Sequence, residues 1–385
     1  MIYSFGGRNC WSFKEWVDID FSLNKSVPVE YGFDDISVAP ALCFEGANAS
    51  GKSCALRVIS FIANFCLNSF QDEKPNDRIF YDTFFSNKDK SEFYLVFSLL
   101  DNINERYKYQ VVLDNNQVYS EKLYLKENGR AQLVFSRIVN TIKTNKFFKI
   151  PKDFPELRNN VSFFSTFFQY NISAAMPFWN FFSNIFSNVG YIGTNKYKES
   201  DLFAKYYYEN PEKLQKVVKY LKIFDTGIDS IVIKKMPIID EKESFVSFFM
   251  HQTENGLKPL TVFSQSMGTK VLYNKLLPLL FSVENGGFII YDELDCHLHP
   301  AILPIILDNF LNPYKNEKHS QIVFTSHNTA LLDEMKKYRT YLFNKEMGES
   351  FCYRIDELPE NIKIRNDRSL EQTYKSGILG GVPNV

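Results

Sequence analysis

The chain has 385 residues, 45% hydrophobic and 23% charged, enough for one large α/β domain with an insertion or for two domains. A formal charge of −1 excludes a global field drawing the chain to nucleic acid or acidic lipid, so such binding needs a local patch or a partner. Six cysteines form no Cys-x-x-Cys pair, and their spacing suggests neither a zinc knuckle nor a disulfide frame. No basic and apolar export signal follows Met1, and no uninterrupted apolar run approaches the roughly 18 residues of a membrane span. The expectation is a cytoplasmic protein with its cysteines reduced.

Residues 1–23, MIYSFGGRNCWSFKEWVDIDFSL, alternate apolar and polar positions and predict two strands joined by a Gly-Gly-Arg-Asn turn. SVAPALCFEG is a further apolar strand, and it enters GANASGKSC. Gly46, Asn48, Ala49, Ser50, Gly51, Lys52, Ser53 and Cys54 lie in this stretch, which fits G-x-x-x-x-G-K-[ST]. Helical apolar spacing follows at Leu56, Ile59, Phe61, Ile62 and Phe65. Strand, glycine loop and helix form the context in which backbone N–H groups and a helix N-terminus cradle nucleotide phosphates. Lys52 is expected on the β- and γ-phosphates and Ser53 on Mg²⁺.

From about 91 to 137 the period changes to two, in four runs split by short polar turns, which predicts an antiparallel meander. Aromatics make up 16% of the chain, including 37 Phe, and the surplus concentrates in 147–186. Doubled Phe at helical spacing predicts a helical insertion with an aromatic core. A base-stacking platform is the alternative, although such platforms interleave Arg and Lys with the rings and this stretch hardly does. Residues 211–224 read as a helix with Pro at its start and Lys213, Lys216, Lys219 and Lys222 at three-residue steps. That is either a solvated face or a strip for phosphate backbones.

GGFIIYDELD predicts a buried parallel strand from Phe288 to Tyr291, with Asp292 at its end to hold Mg²⁺ through water and Glu293 to polarise the attacking water. Two adjacent carboxylates there are costly unless metal and water share the space. QIVFTSHN places His327 at the end of another apolar strand, toward the γ-phosphate or that water. SQSMGT puts Ser266 and Gly268 just before a helix, a second anion cradle. A second cradle makes sense if it serves a nucleotide held by another subunit.

Together GANASGKS, SQSMGT, IIYDELDCHLHP and FTSHN resemble the ABC-type ATPases of the SMC, recombination-repair and OLD group, whose usual loop is G-x-N-x-x-G-K. More narrowly, the chain is similar to the stand-alone bacterial AAA-family or OLD-like ATPases of phage-defence and abortive-infection operons. The likeness extends to RNCWSFKEWVDIDF, the meander and the tail YKSGILGGVPNV. It implies an α/β ABC-type P-loop NTPase core, a mixed sheet flanked by helices, with an antiparallel meander and a Phe-rich helical insertion. The implied divisions are 1–140 for the first half of the core, 141–240 for a helical lid and 241–385 for the second half. Implied too are ATP and Mg²⁺, and a homodimer or higher homo-oligomer formed by sandwiching ATP. In that assembly Ser266 and Gly268 contact ATP in trans, Glu293 is the catalytic base, His327 the switch histidine and Asp295 the dimer-facing aspartate.

Gln265 and Met267 depart from the Gly-rich transporter signature, and Gln71 is the candidate for the loop glutamine that normally follows the first helix. CHLH at 296–299 needs no metal, because the family pattern accounts for His299-Pro300. The expectation is a subunit without a Toprim nuclease domain, and no heptad run for a coiled-coil arm is legible. The leading expectation is an ATPase that senses and gates for a separately encoded effector, a nuclease or toxin, in antiphage defence, with slow hydrolysis and no membrane partner. A DNA-end or repair ATPase binding nucleic acid directly is the alternative. A transporter motor is disfavoured by the long β-rich interval between loop and signature, and a small-molecule kinase leaves the signature and His327 without a task.

Overall fold

The computed structural model describes the chain except residues 34, 35, 101, 128, 140, 147, 152, 153, 191, 192, 195–200, 225, 238–242, 360–363, 366, 367 and 383–385. In chain order come β1 (Ile2–Arg8), β2 (Val17–Asp20), β3 (Ala41–Gly46), α1 (Lys52–Asp72) and the strands β4 (Ser91–Leu99), β5 (Asn102–Leu113), β6 (Val118–Glu127), β7 (Arg130–Ile138) and β8 (Thr141–Thr144). Next are α2 (Phe163–Gln169), α3 (Met176–Ser183), β9 (Ile185–Ser187), β10 (Val189–Gly190), β11 (Gly193–Thr194), α4 (Asp201–Glu209) and α5 (Pro211–Ile223). Then follow β12 (Ile228–Pro237), β13 (Glu243–Thr253), β14 (Gly256–Thr261), α6 (Met267–Asn285), β15 (Phe288–Tyr291), α7 (Ile302–Leu311) and β16 (Gln321–Thr325). The last are α8 (Leu331–Met335), β17 (Thr340–Glu346), β18 (Glu349–Arg354) and α9 (Leu370–Lys375).

These elements form two compact units. The first comprises Met1–Thr194, Ser282–Leu294 and Leu307–Val385; the second comprises Asn195–Phe281 and Asp295–Ile306.

The first unit holds two large sheets. One is the antiparallel meander, in the order β2-β1-β4-β5-β6-β7-β8. Along β4 the burial alternates with the pleat, Phe93, Leu95 and Phe97 facing the core, as expected of a sheet with one covered face. The other has the order β18-β17-β3-β16-β15-β9, in which β17, β3, β16, β15 and β9 run parallel and β18 is an antiparallel edge. Its strands β3, β15 and β16 are buried at every residue, the continuous apolar reading of a parallel sheet covered on both faces. A mixed sheet with a glycine loop leading into a flanking helix is the α/β P-loop NTPase fold.

α1 is the one described helix long and apolar enough to cross a membrane, by length and composition only. Here it is a core helix. Leu56, Ile59, Ile62, Phe65 and Cys66 are buried in the principal hydrophobic cluster, and its first residue is the loop lysine.

The three-part division at 140 and 240 does not match these units. The Phe-rich helices join the first unit's core rather than forming a lid. Phe163, Phe164, Phe167, Phe178 and Phe182 are buried in the same cluster as Leu56 and Phe97. Phe135 and Phe163 stack with ring centroids 4.1 Å apart, and Phe164 packs on Phe178 at 5.0 Å. Rings enclosed in this way contribute about 1.5–3 kcal/mol each by burial and are not a platform for bases. The FFKIPKDF segment expected in this helical insertion lies partly outside the described residues; its described residues 148–151 and 154 form neither helix nor strand.

In the second unit, β12, β13 and β14 form an antiparallel sheet that the division into a helical lid did not anticipate. α4 and α5 pack with it through Tyr207, Val217 and Leu221, and Phe249 meets Tyr273 of α6 edge to face at 5.0 Å.

Candidate functional site

The loop from Gly46 to Lys52 depends on two glycines for steric reasons. Gly46 has φ 151° and Gly51 φ 112°, in the region that side chains disfavour. A Cβ at Gly46 would come 2.5 Å from the Phe343 carbonyl oxygen, and one at Gly51 would come 2.6 Å from Ser350 Oγ. The β17–β18 hairpin therefore presses directly on the loop. The tail reaches it too: Gly381 donates its N–H to Asn344 Oδ1 at 2.7 Å, its carbonyl accepts from Tyr374 Oη at 2.8 Å, and a Cβ there would lie 3.7 Å from Gly46 Cα.

Asn48 and Ala49 are exposed on the loop, Ala49 with φ 61°, while Ser50 is buried and Ser53 and Cys54 are half-buried. Lys52 is buried, and its Nζ donates to the Gly46 carbonyl at 2.6 Å and the Ala47 carbonyl at 2.9 Å. Burial lowers its pKa from the usual value, opposed by the carboxylates of Glu45, Asp292 and Glu293. The loop lysine and the two carboxylates of the β15 end are thus within electrostatic reach of one another.

Asp292 is buried where β15 ends, and Glu293 follows with φ 52°, a strained left-handed conformation for a side-chain residue. Thr325, the last residue of β16, joins them. Its hydroxyl donates to Asp292 Oδ1 at 2.6 Å and accepts the Glu293 N–H at 2.7 Å, while its carbonyl accepts the Leu294 N–H at 3.0 Å. His327, two residues on, brings Nε2 to 3.8 Å from Glu293 Oε1, and both side chains are about half exposed, 51% and 50%. Residues distant in sequence meet because β15 and β16 are parallel neighbours in register, Tyr291 opposite Phe324. Thr325 and Asn188, which binds the Asp292 backbone, were not among the sequence candidates.

Oxygen donors suit Mg²⁺, and Ser53 and Asp292 supply a hydroxyl and a carboxylate. Among the described residues no group of three or more His, Cys, Asp or Glu forms a metal cage. A hydroxyl and one carboxylate fit an ion that completes its shell with phosphates and water.

Gln71 does not belong to this site. α1 is unbroken from Lys52, so at a rise of about 1.5 Å per residue Gln71 lies about 28 Å along the axis from the loop. It is exposed, 3.5 Å from Gln169 Oε1.

The second unit holds the signature candidates. Ser266 Oγ accepts the Thr269 N–H at 3.2 Å and lies 2.8 Å from Thr269 Oγ1, which caps the start of α6. A Cβ on Gly268 would lie 3.0 Å from the His297 carbonyl oxygen. Gln265, the departure from a Gly-rich signature, is buried with Oε1 3.0 Å from His251 Nε2, and Met267 is exposed. Asp295 opens this unit's second segment, its carbonyl accepting the Leu298 N–H at 3.0 Å.

No curated protein matches the sequence. Among solved structures, an SmcHead bound to the C-winged helix domain of ScpA is 16% identical, covers 97% of this chain and 99% of its own, and has a TM-score of 0.48. The SMC head domain from Thermotoga maritima is 15% identical, with coverage of 92% and 98% and a TM-score of 0.43. An Smc head domain with an extended coiled coil, bound to the C-terminal domain of ScpA from Pyrococcus furiosus, is 15% identical, with coverage of 97% and 98% and a TM-score of 0.48. Residues 43–333, most of the chain and all of the loop, carboxylate and histidine positions above, match the family described as "AAA domain, putative AbiEii toxin, Type IV TA system", and the chain belongs to this family of AAA-type ATPases.

Proposed function

We propose that the chain binds ATP–Mg²⁺ at the Gly46–Cys54 loop and hydrolyses it slowly, and that ATP sandwiched between two copies gates a separately encoded effector in antiphage defence. The observation that carries the hydrolytic part is the Glu293–His327 pair, 3.8 Å apart and half exposed beside the buried Asp292 and Lys52. Glu293 accepts a proton from the attacking water, and His327 faces the same water or the γ-phosphate. Lys52 exchanges its two loop carbonyls for phosphate oxygens. Ser53 and Asp292 would hold Mg²⁺, which supplies neutralisation of the phosphate charge.

The defence role and the effector rest on the likeness of the motifs and on the family's toxin and type IV toxin–antitoxin description. The trans role of Ser266, Gly268 and Asp295 rests on the phosphate loop already furnishing one anion cradle, which leaves the α6 start for a nucleotide on a second copy. The test is the solution mass of the wild type and of Glu293→Gln, each with and without ATP–Mg²⁺. Assembly driven by ATP and trapped by Glu293→Gln supports the sandwich. Masses indifferent to nucleotide in both proteins, combined with unchanged hydrolysis in Ser266→Arg, refute it.

The DNA-binding alternative draws on α5, where Lys216, Lys219 and Lys222 are exposed, although Lys222 pairs with Asp229 at 3.4 Å. Salt-sensitive DNA binding lost on charge reversal of Lys213, Lys216, Lys219 and Lys222 would establish it.

A further inference from the structure

We infer that Asn188 is a positioning residue for the two carboxylates of the site, a role that rests on the ATPase reading above. The β9 strand pairs with β15 for three residues and ends at Ser187, opposite Ile290. The Asn188 N–H makes one further bond, to the Ile290 carbonyl at 3.1 Å, after which the backbone leaves the ladder. The side chain then takes the place of the departed backbone. Asn188 Oδ1 accepts the Asp292 N–H at 2.7 Å, and Asn188 Nδ2 donates to the Asp292 carbonyl at 2.9 Å. Only 3% of Asn188 is exposed, so these two bonds are shielded from water.

A primary amide accepts at one atom and donates from another, as this two-point pairing with a backbone N–H and carbonyl requires. An aspartate could serve the N–H but would set a carboxylate against the carbonyl. The bonds grip the backbone at the residue immediately before Glu293, which is held at φ 52°. On the other side Thr325 fixes the Asp292 carboxylate and the Glu293 N–H. Asp292 is thus gripped from both neighbouring strands, by a side chain from each. The chain also ties this grip to the phosphate-loop helix, because Ser187 Oγ lies 2.5 Å from Ser60 Oγ on α1.

A buried Asn that merely closes a loop would affect stability alone. The positioning role makes a different demand: Asn188 should set how well Asp292 serves Mg²⁺ without touching nucleotide itself. Wild type, Asn188→Ala, Asn188→Asp and Glu293→Gln are compared by two measurements. One is the Mg²⁺ concentration that half-saturates binding of a fluorescent non-hydrolysable ATP analogue, and the other is ATP turnover. For Asn188→Ala the Mg²⁺ requirement is expected to rise about 10-fold and turnover to fall about 10- to 100-fold, the usual loss when a partner behind a metal ligand is removed. Analogue binding without Mg²⁺ should stay at the wild-type level.

Asn188→Asp keeps the shape and reads the same way if the Ala variant does not fold. Wild-type Mg²⁺ dependence and turnover in a folded Asn188 variant, with turnover abolished in Glu293→Gln, would overturn the positioning role alone. Wild-type turnover in Glu293→Gln would overturn the ATPase reading, and the inference with it.

Discussion

The Thr325 hydroxyl donates to Asp292 Oδ1 at 2.6 Å and, through the same oxygen, receives the Glu293 N–H at 2.7 Å. One β-branched side chain thereby sets the direction of the expected metal carboxylate and anchors the residue carrying the expected base. The sheet makes this possible: the β16 end lies beside the β15 end, so the final residue of one strand can reach across to the loop leaving the other. Thr325→Val keeps the shape and the buried strand but removes both bonds. Turnover is expected to fall about 10- to 100-fold with the nucleotide still bound, as for other partners behind a metal ligand. Steady-state hydrolysis, paired with analogue binding, checks this. A Val variant that turns over like wild type would mean that the carboxylates hold their places unaided.

A second polar junction lies inside the first unit. Glu121 on β6 is fully buried and accepts the Phe163 N–H at 2.9–3.0 Å and the Tyr109 hydroxyl at 2.8 Å. Arg137 stands 3.7 Å from it and donates to the carbonyls of Val161 and Arg158 at 2.7 Å each. The pair joins the meander to the start of α2. Glu121→Ala would strand a buried guanidinium and is expected to cost about 3–5 kcal/mol. Burial raises the Glu121 pKa above 4.5, with Arg137 opposing. Because the folded value is the higher one, this group's contribution is complete below pH 4.5 and is lost as pH rises through the raised value. Glu121→Gln should remove that slope, which urea denaturation between about pH 5 and 8 would show. An unchanged slope would mean that the carboxyl is not the titrating group.

The aromatic surplus gives a third expectation. Phe164 is fully buried, with Tyr109, Phe135, Phe178 and Phe182 as ring neighbours at 5.0–5.8 Å. Phe164→Ala should destabilise the protein by about 3–5 kcal/mol, as for other buried Phe deletions. The melting midpoint reports this loss. If the rings were a platform for bases instead, Phe164→Ala would leave stability intact and weaken single-strand binding.

What could be read in the sequence was whatever is encoded locally. The loop from Gly46 to Cys54 announces itself by spacing, because the phosphate cradle is built from consecutive backbone groups and the next helix. β15 and β16 were legible as continuous apolar runs, and with them Asp292, Glu293 and His327 at their ends. Thr325 and Asn188 were not, because their roles exist only once β9, β15 and β16 are known to be neighbours. Gln71 was the candidate for a glutamine following the first helix, but α1 runs on through it to Asp72, and apolar spacing alone does not fix where a helix ends. The sheet of the second unit carried a signal of its own: Phe245, Ser247 and Phe249 are buried in alternation, and Glu254-Asn255 makes the turn between β13 and β14. The division at 240 failed for a different reason. α6 begins in one unit and ends in the other, so no break in composition marks the boundary.

The trans arrangement can be tested without a second structure. Ser266 already caps α6 through Thr269, so its replacement by a long cation alters the helix start, whereas the phosphate loop belongs to the other unit. Ser266→Arg is expected to bind nucleotide normally and to lose hydrolysis; Lys52→Ala is expected to lose both, since Lys52 is the buried cation of the loop. Each protein alone is inactive for a different reason. In a sandwich, a mixed dimer of the two has one site with an intact loop from the Ser266→Arg copy and an intact signature from the Lys52→Ala copy. Mixing the inactive proteins should therefore restore hydrolysis, measured as phosphate release against each protein alone. If the signature served its own chain's nucleotide, no pairing would contain a complete site, and the mixture would stay as inactive as its components.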